Sequence, residues 1–291
     1  MADAMTLKGQ AARPASRARL ELLALLPAVL LMVGFFIYPL IEIVRLSFTD
    51  PVFGWGNYEW FFSRSANISV SIRTFWTAAL VTVICLLVSY PYAYVMSTAS
   101  PRIRLVLLVV VLTPLWTSLM VRTLAWIVLL QDTGIINGFL EIIGVGRIPL
   151  IRTDVGVVIG MTQLLVPFMV LPIYSVMVKV DPRLTTAAIS LGARPSTAFW
   201  RIYVPLTKSG VFAGMLTVFV LGLGFYIIPA LLGSPRNTMI SALIQQQVGS
   251  MLQWGRGSAI GVILLLATLL SLLIFARFAR GMRLVGLGGV R

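Results

Sequence analysis

Over most of this chain apolar residues neither alternate nor recur at helical spacing; they run on. Six stretches stand out, at about Leu22–Val44, Thr74–Ser97, Leu105–Leu130, Val155–Val178, Gly210–Leu232 and Ser258–Ala276. A run of about 20 apolar residues is what a helix needs to cross the hydrocarbon core of a bilayer. No water is available there to backbone amides, so each stretch is expected to be helical. The third and fourth carry polar residues and internal prolines and read as the least regular. The pattern predicts an all-α, polytopic membrane protein with about six transmembrane helices.

Polar positions gather between these runs. The most structured connection is residues 181–207, DPRLTTAAISLGARPSTAFWRIYVPLT. Asp181 followed by Pro182 reads as an N-cap with Pro at the first helical position, and Leu184–Leu191 contains good helix formers. Gly192 suits a C-terminal cap. Pro195 can start a second helix, Ser196–Tyr203, running toward Pro205 and the fifth span. From its residues alone the segment is either a handle for a partner or an ordinary basic loop. Elsewhere, Trp55, Tyr58, Trp60, Phe61 and Phe62 cluster as aromatic side chains do at a membrane interface. Gly134–Gly144 has helical spacing and is expected to lie along the interface. Thr238–Val248 reads as another short helix.

Composition sharpens this picture. Of 291 residues, 59% are hydrophobic and only 11% charged, against about 25% charged in soluble domains. The chain has no His and one Cys, Cys85, inside an apolar run. That leaves no disulfide, no thiolate cluster and no His ligand, so no metal site is expected. No G-x-x-x-x-G-K-[ST] loop occurs, so the chain is not expected to hydrolyse ATP or to act as an enzyme.

The net charge of +14 is spread among the apolar spans and is better read as topology than as nucleic-acid binding. The two ends, residues 99–104 and residues 179–209 together hold fifteen Lys and Arg, while the other three connections hold seven. The richer side is expected to be cytoplasmic, with both termini inside. Four basic residues precede a first apolar run too long for a secretory signal and lacking its small-residue cleavage site. The expected layout is a cytoplasmic tail, 1–21, a transmembrane domain, 22–278, and a second cytoplasmic tail, 279–291.

The pattern A-A-x-x-L-G-A followed by F-x-R-I-x-x-P-L resembles the cytoplasmic signature loop of ABC importer permeases. It is carried by Ala187, Ala188, Leu191, Gly192, Ala193, Phe199, Arg201, Ile202, Pro205 and Leu206. Ser89-Tyr90-Pro91-Tyr92-Ala93-Tyr94 is similar to a second-span motif of spermidine/putrescine-type permeases. Pro114-Leu115-Trp116-Thr117-Ser118 with Arg122-Thr123, and Val166 to Tyr174 (VPFMVLPIY), resemble further segments of that family in the same order. The resemblance covers nearly the whole chain. It departs at Thr186, where the family usually has Glu, and at Ser190, where it often has Asp.

The resemblance implies a type I ABC importer permease fold in a bacterial inner membrane, forming half of a pathway that works by alternating access. It implies four kinds of association: a second homologous permease, two ATPase subunits, a periplasmic substrate-binding protein and membrane lipid. ATP and Mg would be bound by the ATPase, with no cofactor in this chain. Residues 181–207 would be the coupling loop, with Thr186 and Arg194 beside the motif residues named above. Polyamines are the implied substrates; gamma-aminobutyrate, an opine or a zwitterionic amine is the alternative within the family. A stand-alone secondary transporter would be expected to carry intramembrane carboxylates, and none of the nine Asp and Glu falls in the interior of a span; Glu42 comes closest, at the outer end of the first.

Polar and aromatic groups inside the spans are the candidates for the pathway. Arg122 in the third span costs about 2.5–3.5 kcal/mol at a helix centre, so it should face a cavity or partner, or else snorkel to the interface. Gln163 and Thr162 near the centre of the fourth span either line a cavity or bond a neighbouring helix. Pro167 and Pro172 should bend that span. Trp116, Thr117, Trp126, Phe168 and Tyr226 complete the set, the aromatic rings offering cation–π contacts of about 0.5–2 kcal/mol to an amine.

Overall fold

The computed structural model describes residues 25–286, with side chains through residue 277. The expected tail 1–21 lies outside the described residues. Of the expected tail 279–291, residues 279–286 continue the last helix and the remainder also lies outside.

Twelve α-helices and a 3₁₀ turn at Pro235–Asn237 occupy the described residues, with no strand among them. They are α1 (Leu25–Thr49), α2 (Gly56–Ser63), α3 (Ser65–Thr98), α4 (Pro101–Trp116), α5 (Leu119–Leu130) and α6 (Ile135–Ile142), then α7 (Asp154–Met177), α8 (Pro182–Ser190), α9 (Pro195–Leu223), α10 (Ile227–Leu232), α11 (Ile240–Gln245) and α12 (Trp254–Gly286). Six stretches are long and apolar enough to span a membrane: α1, α3, the run Leu119–Ile142 through α5 and α6, α7, α9, and α12 to Arg277.

Two expected spans are corrected. Leu105–Leu130 is not one helix, because the backbone is extended at Thr117 and Ser118, between α4 and α5. Pro114 removes a donor from the last turn of α4, and the helix ends two residues later, at Trp116. The fifth span also differs from Gly210–Leu232. It begins at Pro195, as a direct continuation of the second loop helix, and ends at Leu223 before the separate α10. Pro205 does not interrupt it. A π turn over Phe199–Tyr203, closed by the Val204 amide on the Phe199 carbonyl, lies just before the proline and relieves the crowding it would otherwise cause.

The core is the three-helix contact of α3, α7 and α9. Cys85, Met161, Leu165, Met169, Ile173 and Val218 are fully buried there. Close approach comes from small residues on α9. A Cβ at Gly210 would sit 2.7 Å from the Pro172 carbonyl oxygen, and one at Gly214 would sit 2.7 Å from the Met169 sulfur. Small residues four apart let helix backbones approach in a bilayer, where apolar burial gives no net drive.

α1 lies against α12 at its second half. The Asp50 carboxylate accepts the Gly255 amide at 2.6 Å, at the start of α12, where the helix dipole favours an anion. Asn57 donates to the carbonyls of Ser47 and Asp50 at 3.0 and 2.7 Å, fixing the turn that follows α1. α6 and α11 form close to the expected Gly134–Gly144 and Thr238–Val248, α11 continuing into a π turn through Ser250.

Candidate coupling loop and translocation face

α8 is built as its residues suggest. Asp181 accepts the Arg183 amide at 2.9 Å, and Pro182 occupies the first turn. At the other end, the amides of Gly192 and Ala193 bond the carbonyls of Ile189 and Ala188 at 2.9 and 3.0 Å. This is a Schellman closure, which requires a left-handed residue, and Gly192 supplies it with φ of 91°. The turn aims the chain into α9.

Most of the loop is open to an occupant. Leu184, Ile189, Leu191 and Trp200 are exposed apolar side chains, Leu191 at 90%. Thr186, Ala187, Arg194, Arg201 and Pro205 are exposed, and Ala188, Ala193 and Phe199 half-buried. The Thr186 hydroxyl bonds the Pro182 carbonyl at 3.2 Å, so it is spent on its own helix.

The loop is joined to α3 by an aromatic cluster. Phe199 and Tyr203 stack with centroids 5.6 Å apart at 16°. Tyr94 meets both edge-on, at 5.5 and 5.4 Å, and Trp200 flanks Phe199 at 5.5 Å. Beside them the Tyr90 phenol and the Thr207 hydroxyl share a hydrogen bond of 3.0 Å. Arg104 caps the end of α3 by donating to the carbonyls of Met96, Ser97 and Ala99. Tyr90, Tyr94, Tyr203 and Thr207 are the residues that sequence reasoning did not single out for coupling. The only signal was the Tyr-Pro-Tyr-Ala-Tyr spacing, which says nothing of which helix those rings meet.

A cavity of about 480 Å³ lies between α3, α4, α5 and α7, lined mainly by apolar groups. Trp126 and Gln163 both face it, and the Trp126 indole N–H donates to Gln163 Oε1 at 3.4 Å. Thr162 shares the wall, and its buried hydroxyl has no hydrogen-bond partner.

The other pathway candidates lie elsewhere. Trp116 and Thr117 are exposed at the α4–α5 break, Trp116 at 74%. Phe168 packs against the core, and Tyr226 is the residue before α10. Arg122 turns back on the break and donates to the carbonyls of Pro114 and Thr117, the latter at 2.9 Å. Those carbonyls have lost their helical partners. The guanidinium thus replaces a missing stretch of ladder, and its Nε and Nη1 stay buried and unpaired.

No protein-family model matches the sequence. The spermidine/putrescine transport system permease protein PotB of Haemophilus influenzae is 36% identical over 203 residues, covering 69% of this chain and 70% of that protein. The chain belongs to the spermidine/putrescine-type family of ABC importer permeases. PotB of Escherichia coli K12 is 32% identical over 236 residues, 80% of this chain and 86% of that protein. Among solved structures, a chain of a bacterial alginate ABC transporter, in complex with an alginate pentasaccharide-bound periplasmic protein, superposes with a TM-score of 0.75. It covers 92% of this chain and 96% of that one at 18% identity, which is a likeness of fold. This permease is a multi-pass inner-membrane subunit.

Proposed function

We propose that this permease forms one half of the membrane pathway of an ATP-driven polyamine importer. The single observation that carries the substrate class is the 36% identity to a spermidine/putrescine permease protein over 69% of the chain. The partners in this reading are a second homologous permease, two ATPase subunits and a periplasmic binding protein. ATP and Mg belong to the ATPase. Among the described residues no group of three or more His, Cys, Asp or Glu side chains is placed to hold a metal ion.

The exposed apolar side chains of α8 and its Schellman turn, ringed by Arg183, Arg194 and Arg201, form the surface offered to the ATPase. A groove with an apolar floor and an acidic rim complements it. Movement imposed there passes to α9, which is continuous with the loop, and to α3 through the aromatic cluster. The pathway then changes its open side between the two permeases. The Lys and Arg asymmetry supports placing this loop and both termini in the cytoplasm, with the transmembrane domain at 22–278.

The test is reconstitution of the complete complex in proteoliposomes with radiolabelled spermidine. Import should need ATP on the loop side and the loaded binding protein on the other. Uptake by this chain without ATP overturns the reading.

A further inference from the structure

A second cavity, of about 370 Å³, opens beside the first, between α3 and the start of α7. Val158 lines both, so the two cavities share a wall along one α3–α7 groove. The second holds the groove's carboxylate. Asp154, the first residue of α7, lines it together with Ser69, Arg73, Trp76 and Thr77.

Three features make this more than a capped helix end. Asp154 is exposed and makes no direct ion pair among the described residues, Arg73 included. Its Oδ1 accepts from the Asn237 amide, which fixes the carboxylate at the cavity wall, and Oδ2 has no hydrogen-bond partner among the described residues. Asn237 is itself held, since its Oδ1 accepts the Ser234 amide at 3.0 Å. Trp76 is 69% exposed and borders the same space, an apolar ring uncovered where the core gives it no packing role.

We propose that Asp154 and Trp76 form an ammonium-binding station at the mouth of this groove. A primary ammonium would pair with Oδ2 of Asp154, donate its remaining N–H groups to Ser69 or Thr77, and lie over the Trp76 ring. Arg73 shares the α3 wall with Ser69, Trp76 and Thr77 and opposes any further positive charge, so the station takes one ammonium of a polyamine at a time, held from α7 by Asp154. The inference deepens the polyamine reading and rests on it.

The test uses the reconstituted complex with its loaded binding protein and labelled spermidine. Asp154→Asn keeps the size and the bond to Asn237 but loses the charge. Import should fall at least about tenfold, the range expected for a hydrogen bond to a charged group, while the variant chain still co-purifies with the assembled complex. Trp76→Leu should cost about two- to thirtyfold, and Trp76→Phe should recover part of it. Asn237→Ala breaks the latch but keeps the charge and should import within a few-fold of the unaltered complex. Wild-type import by both Asp154→Asn and Trp76→Leu overturns the station. Equal loss in Asp154→Asn and Asn237→Ala, with Trp76→Leu unaffected, reduces Asp154 to a loop tether and also overturns it. Failure of the unaltered complex to import spermidine overturns the polyamine reading, and this inference with it.

Discussion

The Tyr90 phenol and the Thr207 hydroxyl meet at 3.0 Å across 117 residues of chain. One precedes Pro91 in α3 and the other lies two residues beyond Pro205 in α9, so the bond ties the loop ends of the second and fifth spans. With Phe199 and Tyr203 stacked beside it and Tyr94 edge-on to both, the contact is the physical link between two separated sequence motifs.

We predict that Tyr90→Phe costs stability modestly, by about 1 kcal/mol for one net hydrogen bond. Phe199→Ala should do more, because each aromatic pair adds about 0.5–1.5 kcal/mol beyond burial. Import per ATP hydrolysed in proteoliposomes should drop in Phe199→Ala with membrane insertion intact. Unchanged stoichiometry would make the cluster packing only.

At Gly192 the expected cost is conformational and not steric. A methyl group at this position would meet no heavy atom within 4 Å, yet φ is 91°. Gly192→Ala should destabilise the turn by about 1–2 kcal/mol and weaken co-purification with the ATPase, and Gly192→Asn should recover part of it. If Ala and Asn behave alike, the left-handed turn does not control docking.

Gly210 poses the opposite case. A side chain there meets the Pro172 carbonyl at 2.7 Å, which is backbone and cannot swing away. Gly210→Val is expected to cost about 1–3 kcal/mol through overpacking, lowering the unfolding temperature in detergent. A wild-type melting profile would show that α9 can shift freely on α7.

Arg122→Ala removes the donors that replace the interrupted ladder. Two carbonyls lose their partners, at about 1–3 kcal/mol each if water cannot reach them. Arg122→Lys should recover little, since a single ammonium cannot match the planar fork. Thermal unfolding of the two variants separates this clamp from a charge lining the path: a path role predicts altered import at unaltered stability.

The six membrane crossings were legible because continuous apolarity is a composition signal, and composition survives any packing. The α4–α5 break was not, because hydropathy averages across Thr117 and Ser118 as if they were helical. The α8 turn was legible from Asp181, Pro182 and Gly192, each acting locally. Its continuity with the fifth span was hidden by Pro205, which reads as a stop unless a π turn precedes it. Asp154 was overlooked for a similar reason: counted as a connection residue, it became part of a cavity only when α3 and α7 came together.

The continuity of α9 has a mechanical consequence. At 29 residues and 1.5 Å per residue it is a rod about 43 Å long, with one end in the handle and the other deep in the apolar layer. A tilt of about five degrees pivoted at the handle would sweep the far end by about 4 Å, on the scale of a small amine's width. In the proposed coupling role α9 would be a lever, with the π turn at Phe199–Tyr203 as the place to flex and the close contacts at Gly210 and Gly214 carrying α7 along with it.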